Sequence, residues 1–214
     1  MKFIYFFIGL AASTGFLFGS TQQALALNTN EAYDPGLSRF EAYYSFRAAA
    51  TTVHSLSALV GYGHSDRVNP YLGVRSIFYS GGSKTAVTIG NISTLIDGDW
   101  AIDALPSLTT DFNNTAAAIG FEISKSGSLM PYTRQYATYN LSASDVNFQS
   151  VFGISLTPGG SEEYLIEVSK LWITGFNPKF ALGFNKNISK SFELIVEIYH
   201  QVDIGFLLGG SFTL

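Results

Sequence analysis

From Arg39 onward the chain alternates residue by residue between apolar and polar or small side chains, the period of a strand with two different faces. In the last ten residues Phe206, Leu208, Phe212 and Leu214 fall on one side, with Gly205, Gly209, Ser211 and Thr213 on the other. Between Val146 and Leu156, Val146, Phe148, Phe152, Ile154 and Leu156 oppose Asn147, Gln149, Gly153 and Ser155. Ser191 to His200 sets Phe192, Leu194, Val196 and Ile198 against Glu193, Glu197 and Tyr199, and Ala116 to Ser124 alternates in the same way. Each of these segments predicts a strand.

Further strands are predicted over 54–63, 71–79, 84–92, 131–141, 164–174 and 179–184, separated by short turns. These turns include His64 to Pro70, Pro158-Gly-Gly160 and Asn185 to Ser189. Two stretches are ambiguous. Arg39 to Ala48 alternates as a strand, yet Ser38 and Glu41 have capping-box spacing, and Phe40, Tyr43 and Tyr44 share a helical face. Ser93 to Asn114 reads as an irregular stretch with a short strand around Trp100 to Ala104, interrupted by Pro106. The expected architecture is all-β: a single antiparallel transmembrane β-barrel of about 10–12 strands with short turns.

Composition supports a lipid-facing surface. Charged residues are 13% of the chain and aromatics 15%, whereas a soluble domain carries about 25% charge. The N-terminus places Lys2 ahead of an apolar run from Phe3 to Phe18 and then Ala24-Leu-Ala26, the order of a secretory signal peptide over 1–26. Residues 27–37 then form an N-terminal periplasmic segment, and 38–214 the barrel. Past Ala26 no apolar run approaches the roughly 20 residues of a spanning helix. A net charge of −4 gives no footprint for nucleic acid. With no cysteine, disulfides and thiolate metal sites are excluded.

The closing segment ending at Leu214 resembles the last strand of bacterial outer-membrane barrels. Tyr62-Gly-His-Ser-Asp-Arg67 resembles a tight turn of barrels of the phenol-degradation (MetA-pathway) type. Leu182-Gly-Phe-Asn-Lys-Asn-Ile-Ser-Lys-Ser-Phe192 is similar to a turn of opacity-type and OmpA-like barrels. Leu214 stands where those barrels usually end in Phe. The resemblance implies the cell outer membrane, contact with its lipids, and recognition of the C-terminal strand by the barrel-assembly machinery. It implies no activity.

Candidate chemistry lies on the inward face. The alternation aims Arg39, Glu41, Arg47, Arg75, Glu122, Arg134, Glu167, Glu193 and Glu197 into the lumen. There they either pair and fill the interior or line a narrow, ion-selective path. Ten to twelve strands lie between side-chain-filled barrels and open porins, which favours a filled or narrow interior. Hydrolase chemistry would need one of His54, His64 or His200, with Asp203 and Ser191 or Ser211 near His200, or Ser65 and Asp66 beside His64. Asp97, Asp99 and Asp103 share one acidic loop without the spacing of an EF-hand. No cofactor or metal is expected, and no residue pattern sets the oligomeric state. The expected function is a porin-like or structural outer-membrane barrel, with a narrow channel for small solutes as its activity. A surface hydrolase acting on lipid or peptide, and a soluble periplasmic β-sandwich binding protein, are the alternatives.

Overall fold

The computed structural model describes residues 35–48, 52–172 and 177–214. Among them run β1 (Ser38–Ala48), β2 (Val53–Tyr62), β3 (Val68–Tyr79), β4 (Gly82–Ile96), β5 (Trp100–Thr110) and β6 (Thr115–Lys125). They are followed by β7 (Leu129–Asn140), β8 (Asp145–Leu156), β9 (Glu162–Leu171), β10 (Lys179–Ser189), β11 (Phe192–His200) and β12 (Ile204–Thr213). Each pairs antiparallel with its sequence neighbours, and β12 returns to β1 through a ladder from Arg39–Thr213 to Ala48–Ile204. The sheet is a closed barrel, so no edge strand is left open. A two-sheet sandwich is ruled out by that closure.

The burial pattern is inside-out. Ile89 and Ile166 are 61% and 60% exposed, while Glu122 and Arg134 are 0% and 1% exposed. Water would penalise both arrangements, whereas hydrocarbon outside and a polar interior favour both. Tyr62, Trp100 and Tyr164 ring the outer surface near one rim; Phe78, Tyr139 and Trp172 ring it near the other. Two aromatic girdles bounding an apolar belt mark the membrane interfaces. The rim where β1 starts and β12 ends, the terminal rim, is tied by Ser38 N–H to Leu214 O at 3.0 Å and Leu214 N–H to Ser38 O at 2.8 Å.

Several sequence expectations change. The 38–48 segment is a strand, because its neighbours β2 and β12 take up its backbone groups on both sides. The supposed irregular stretch is mostly strand: β4 continues to Ile96, and β5 passes through Pro106. Pro106 still pairs with Ile119 of β6. Toward β4 the pairing skips from Gly90–Ser107 to Ser93–Ala104, a gap at the position where proline has no N–H to donate. Asn185 to Ser189, expected as a turn, is the end of β10, which pairs with β11 through a bulge between Asn187 and Ser189. Polar Asn and Ser read as turn formers, but here Asn185 is an inward, buried side chain. Pro70 likewise lies inside β3, opposite Asn91. The signal-peptide and periplasmic-segment expectations fall on residues outside the described ones, apart from 35–37.

Candidate functional site: the barrel lumen

All nine charges aimed inward by the alternation sit on the inner face. Arg39, Glu41, Arg75, Glu122, Arg134, Glu167 and Glu197 are buried, while Arg47 and Glu193 are half-buried. Three clusters gather them.

Near the terminal rim, Arg39, Glu41 and Tyr43 are successive inward residues of β1. Arg39 Nε donates to Ser211 Oγ at 2.6 Å and lies 2.9 Å from Glu41 Oε1. Its second arm reaches Glu193 Oε2 on β11 at 2.9 Å, and the Tyr43 hydroxyl donates to Glu41 Oε2. One guanidinium thus joins three strands. Beside it opens a cavity of about 580 Å³, whose lining includes Arg39, Tyr132, Glu163, Leu165, Asn185 and Glu193. Glu163 accepts from Ser155 Oγ and, at 2.8 Å, from Asn185 Nδ2.

At the waist, Arg134 of β7 is directly opposite Glu122 of β6 and donates to it through Nε. Arg134 also lies 3.9 Å from Glu167 Oε2, which accepts from the Tyr132 hydroxyl at 3.0 Å. The guanidinium carbon is 4.6 Å from the Tyr132 ring centre. Around these ion pairs Leu59, Leu105, Val151, Leu165, Ile195 and Leu207 pack into one buried cluster with the inward tyrosines. Side chains pack the waist.

Toward the far rim, Lys179 pairs with Glu197 at 3.0 Å and sits 4.1 Å over the Tyr199 ring. Arg75 donates to Ser55 Oγ at 3.3 Å. Arg47 and Lys84 lie beyond, near the far ends of β1 and β4. Charge is therefore sorted along the axis. Arg47, Arg75, Lys84 and Lys179 occupy the far half with Glu197 alone of the carboxylates named here, while Glu41, Asp103, Glu122, Glu163 and Glu193 share the terminal half with Arg39 and Arg134.

Sequence reasoning missed Lys84, Glu163, Lys179 and Asp103 as inward charges. Glu163 lay just outside the expected start of its strand, and Asp103 lay in the stretch read as irregular. The same parity rule, extended by a residue or two, would have found both. The acidic loop is divided: Asp97 and Asp99 stay in the turn after β4, and Asp103 is buried on β5. Among the described residues no cluster of three His, Cys, Asp or Glu could hold a metal ion.

The hydrolase arrangement does not assemble. His200 ends β11 at the far rim, whereas Ser191 and Ser211 lie at the terminal rim, where Ser211 holds Arg39. Ser65 Oγ accepts from the backbone N–H groups of Arg67 and Val68, fixing the β2–β3 turn. His54 faces outward, with Nδ1 2.6 Å from the Tyr44 hydroxyl.

These features together define an outer-membrane β-barrel of porin-like fold. Among solved structures, the KdgM porin superposes with a TM-score of 0.68 at 10% identity, over 81% of this chain and 98% of that one. The NanC porin gives 0.66 at 9% identity, over 82% and 100%. An outer-membrane channel from Pseudomonas putida F1 gives 0.67 at 13% identity, over 86% and 97%. At these identities the likeness is one of fold. No known family's model matches the chain, and no curated protein matches it.

Proposed function

We propose that the chain is a porin-like outer-membrane channel whose passage is shut at the waist in the conformation described, and that it carries small hydrophilic solutes. The observation that carries this reading is the kind of side chain closing the lumen. Ion pairs and tyrosines meet there, where a purely structural plug would need only apolar packing. Arg134 and Glu122 separate by rotamer changes without breaking any strand ladder, since the ladders belong to the backbone. The fold neighbour KdgM has been seen in complex with a disordered oligogalacturonate, an acidic saccharide. In this chain the cations of the far half outnumber its one carboxylate named above, Glu197, and favour small anions at that mouth.

The reading includes export by a signal peptide cleaved after Ala26, a terminal rim facing the periplasm, and recognition of β12 by the barrel-assembly machinery. Glu41, Arg39, Arg47, Arg75, Glu122, Arg134, Glu167, Glu193 and Glu197 are then the residues along the path.

The test is planar-bilayer conductance of the refolded mature chain. Discrete openings whose ion preference changes on Glu193→Gln or Glu197→Gln are expected. The near-complete burial of the waist favours a second reading, a permanently filled structural barrel. Silence across all voltages, in wild type and variants alike, would select it.

A further inference from the structure

The inward residues of β1 change character along the barrel. Arg39 and Glu41 stand near the terminal rim, Tyr43 and Ser45 follow, and Arg47 ends the series near the far rim. Arg39 does not make its end basic, because it lies between two carboxylates, 2.9 Å from Glu41 Oε1 and 2.9 Å from Glu193 Oε2. Arg134 at the waist is enclosed in the same way by Glu122 and Glu167. Each arginine with its two carboxylates leaves one negative charge. Asp103 on β5 and Glu163 on β9 add two more.

The far half has the opposite excess. Lys179 matches Glu197 at 3.0 Å, and Arg47, Arg75 and Lys84 come in addition to that pair. The ladders keep these three on one side of the wall. Arg47 is opposite Val53 of β2, Arg75 is opposite Ser57 of β2 and Ala86 of β4, and Lys84 is opposite Ile77 of β3. Asp111, Asp145 and Asp203 lie in or beside the far turns, outside the lumen, where water and salt screen them. Asp111 is also taken up by the backbone N–H groups of Asn113 and Asn114. Residues 49–51 and 173–176 carry no ionisable side chain.

We propose that the barrel is a rectifier: when open, it passes more current with the terminal side positive than with the terminal side negative. This rests on the channel reading above. In a narrow tube walled by protein and hydrocarbon, wall charge decides which ions enter each half. The acidic terminal half admits cations, and the basic far half admits anions. With the terminal side positive, cations are driven in through the acidic half and anions through the basic half. Both collect around the waist, and the lumen fills with carriers. With the polarity reversed, each ion must enter through the half that repels it. The waist is then emptied of carriers and the current falls. A lumen of one sign throughout would select ions without favouring a direction.

The test records single barrels of the refolded mature chain in a planar bilayer, with the same salt on both sides so that no gradient biases the current. Orientation is read from Gly159→Cys, in the exposed β8–β9 turn, where an added side chain meets nothing within 4 Å. The chain has no other cysteine, so biotin placed there lets streptavidin obstruct the mouth from the terminal chamber alone. In about 0.1 M salt, where the Debye length is about 10 Å, the current with the terminal side positive is expected to be at least about two-fold the current at the reversed voltage. The ratio should fall toward one near 1 M, where the Debye length is about 3 Å. Arg47→Glu combined with Lys84→Glu gives the far half a negative excess and should bring the ratio close to one. The milder Arg47→Gln with Lys84→Gln should lower it part-way. Equal currents at both polarities, a larger current with the terminal side negative, or a ratio indifferent to both double variants overturns the proposal and leaves the channel reading standing. Silence at every voltage overturns the channel reading and this one with it.

Discussion

Tyr132 of β7 lies over Gly153 of β8 so closely that a Cβ on the glycine would fall 2.1 Å from the tyrosine Cζ. The two residues are directly opposite in the ladder. The same pairing recurs on the inner face between Tyr71 and Gly90, Tyr136 and Gly120, Tyr199 and Gly205, and Tyr43 and Gly209. Each ring covers backbone that glycine leaves bare and takes the space a side chain would need. The lumen is narrowed by rings folded flat against its wall.

Gly153→Ala should therefore displace Tyr132 and loosen Glu167 and Arg134 behind it. Overpacking of this kind costs about 1–3 kcal/mol. Gly73→Ala is the control, because its nearest contacts would be at an ordinary 3.8 Å. Urea unfolding of the refolded barrel in liposomes should show a lower midpoint for Gly153→Ala and little change for Gly73→Ala. Equal midpoints would mean the ring moves aside freely.

The Arg134–Glu122 pair predicts a non-additive series. Removing one buried partner leaves the other charge without its main counter-ion, at a cost of about 3–5 kcal/mol. Glu122→Gln and Arg134→Met should each lower the unfolding midpoint. The double variant should recover much of the loss, since no lone charge remains. A double variant as unstable as the sum of the singles would show that the two groups are not coupled.

Much of this was legible in the alternation alone. Glu122, between Phe121 and Ile123, has one assignment in a period-2 pattern, and it lies inward. The barrel class followed from many such segments with short turns. Pro106 was not legible, because a proline's effect depends on which neighbour it faces, and that is fixed only by register. Asn185 was misread for a related reason: in hydrated loops Asn marks a turn, while inside a polar lumen it is an ordinary wall residue. The tyrosine–glycine pairs were hidden because they join residues on different strands. The axial sorting of charge also needs the ladder registers, which the sequence does not state.

The outer face makes a depth-dependent prediction. Leu208 is midway along β12 and exposed, while Leu214 lies just past its end at the terminal rim. Arginine at the bilayer midplane of a barrel costs about 2–4 kcal/mol, and near an interface about 0–1 kcal/mol. Leu208→Arg should therefore lower stability in liposomes clearly more than Leu214→Arg. Equal small effects would place both residues in water and remove the membrane belt on this side.

The sorted charges of the lumen should be visible as ion preference. Arg47, Arg75, Lys84 and Lys179 outnumber Glu197 in the far half, so a salt gradient across a bilayer holding the barrel should give a reversal potential favouring anions. Arg47→Glu removes one positive charge and adds a negative one near that mouth without touching the waist cluster. The reversal potential should then move toward cation preference. Screening gives a second check. The Debye length is about 10 Å at 0.1 M salt and about 3 Å at 1 M, so the difference between wild type and Arg47→Glu should shrink as salt rises. A shift that stays constant between those salts would have to come from altered pore shape, and a reversal potential untouched by Arg47→Glu would show that permeating ions do not pass the far-half cations at all.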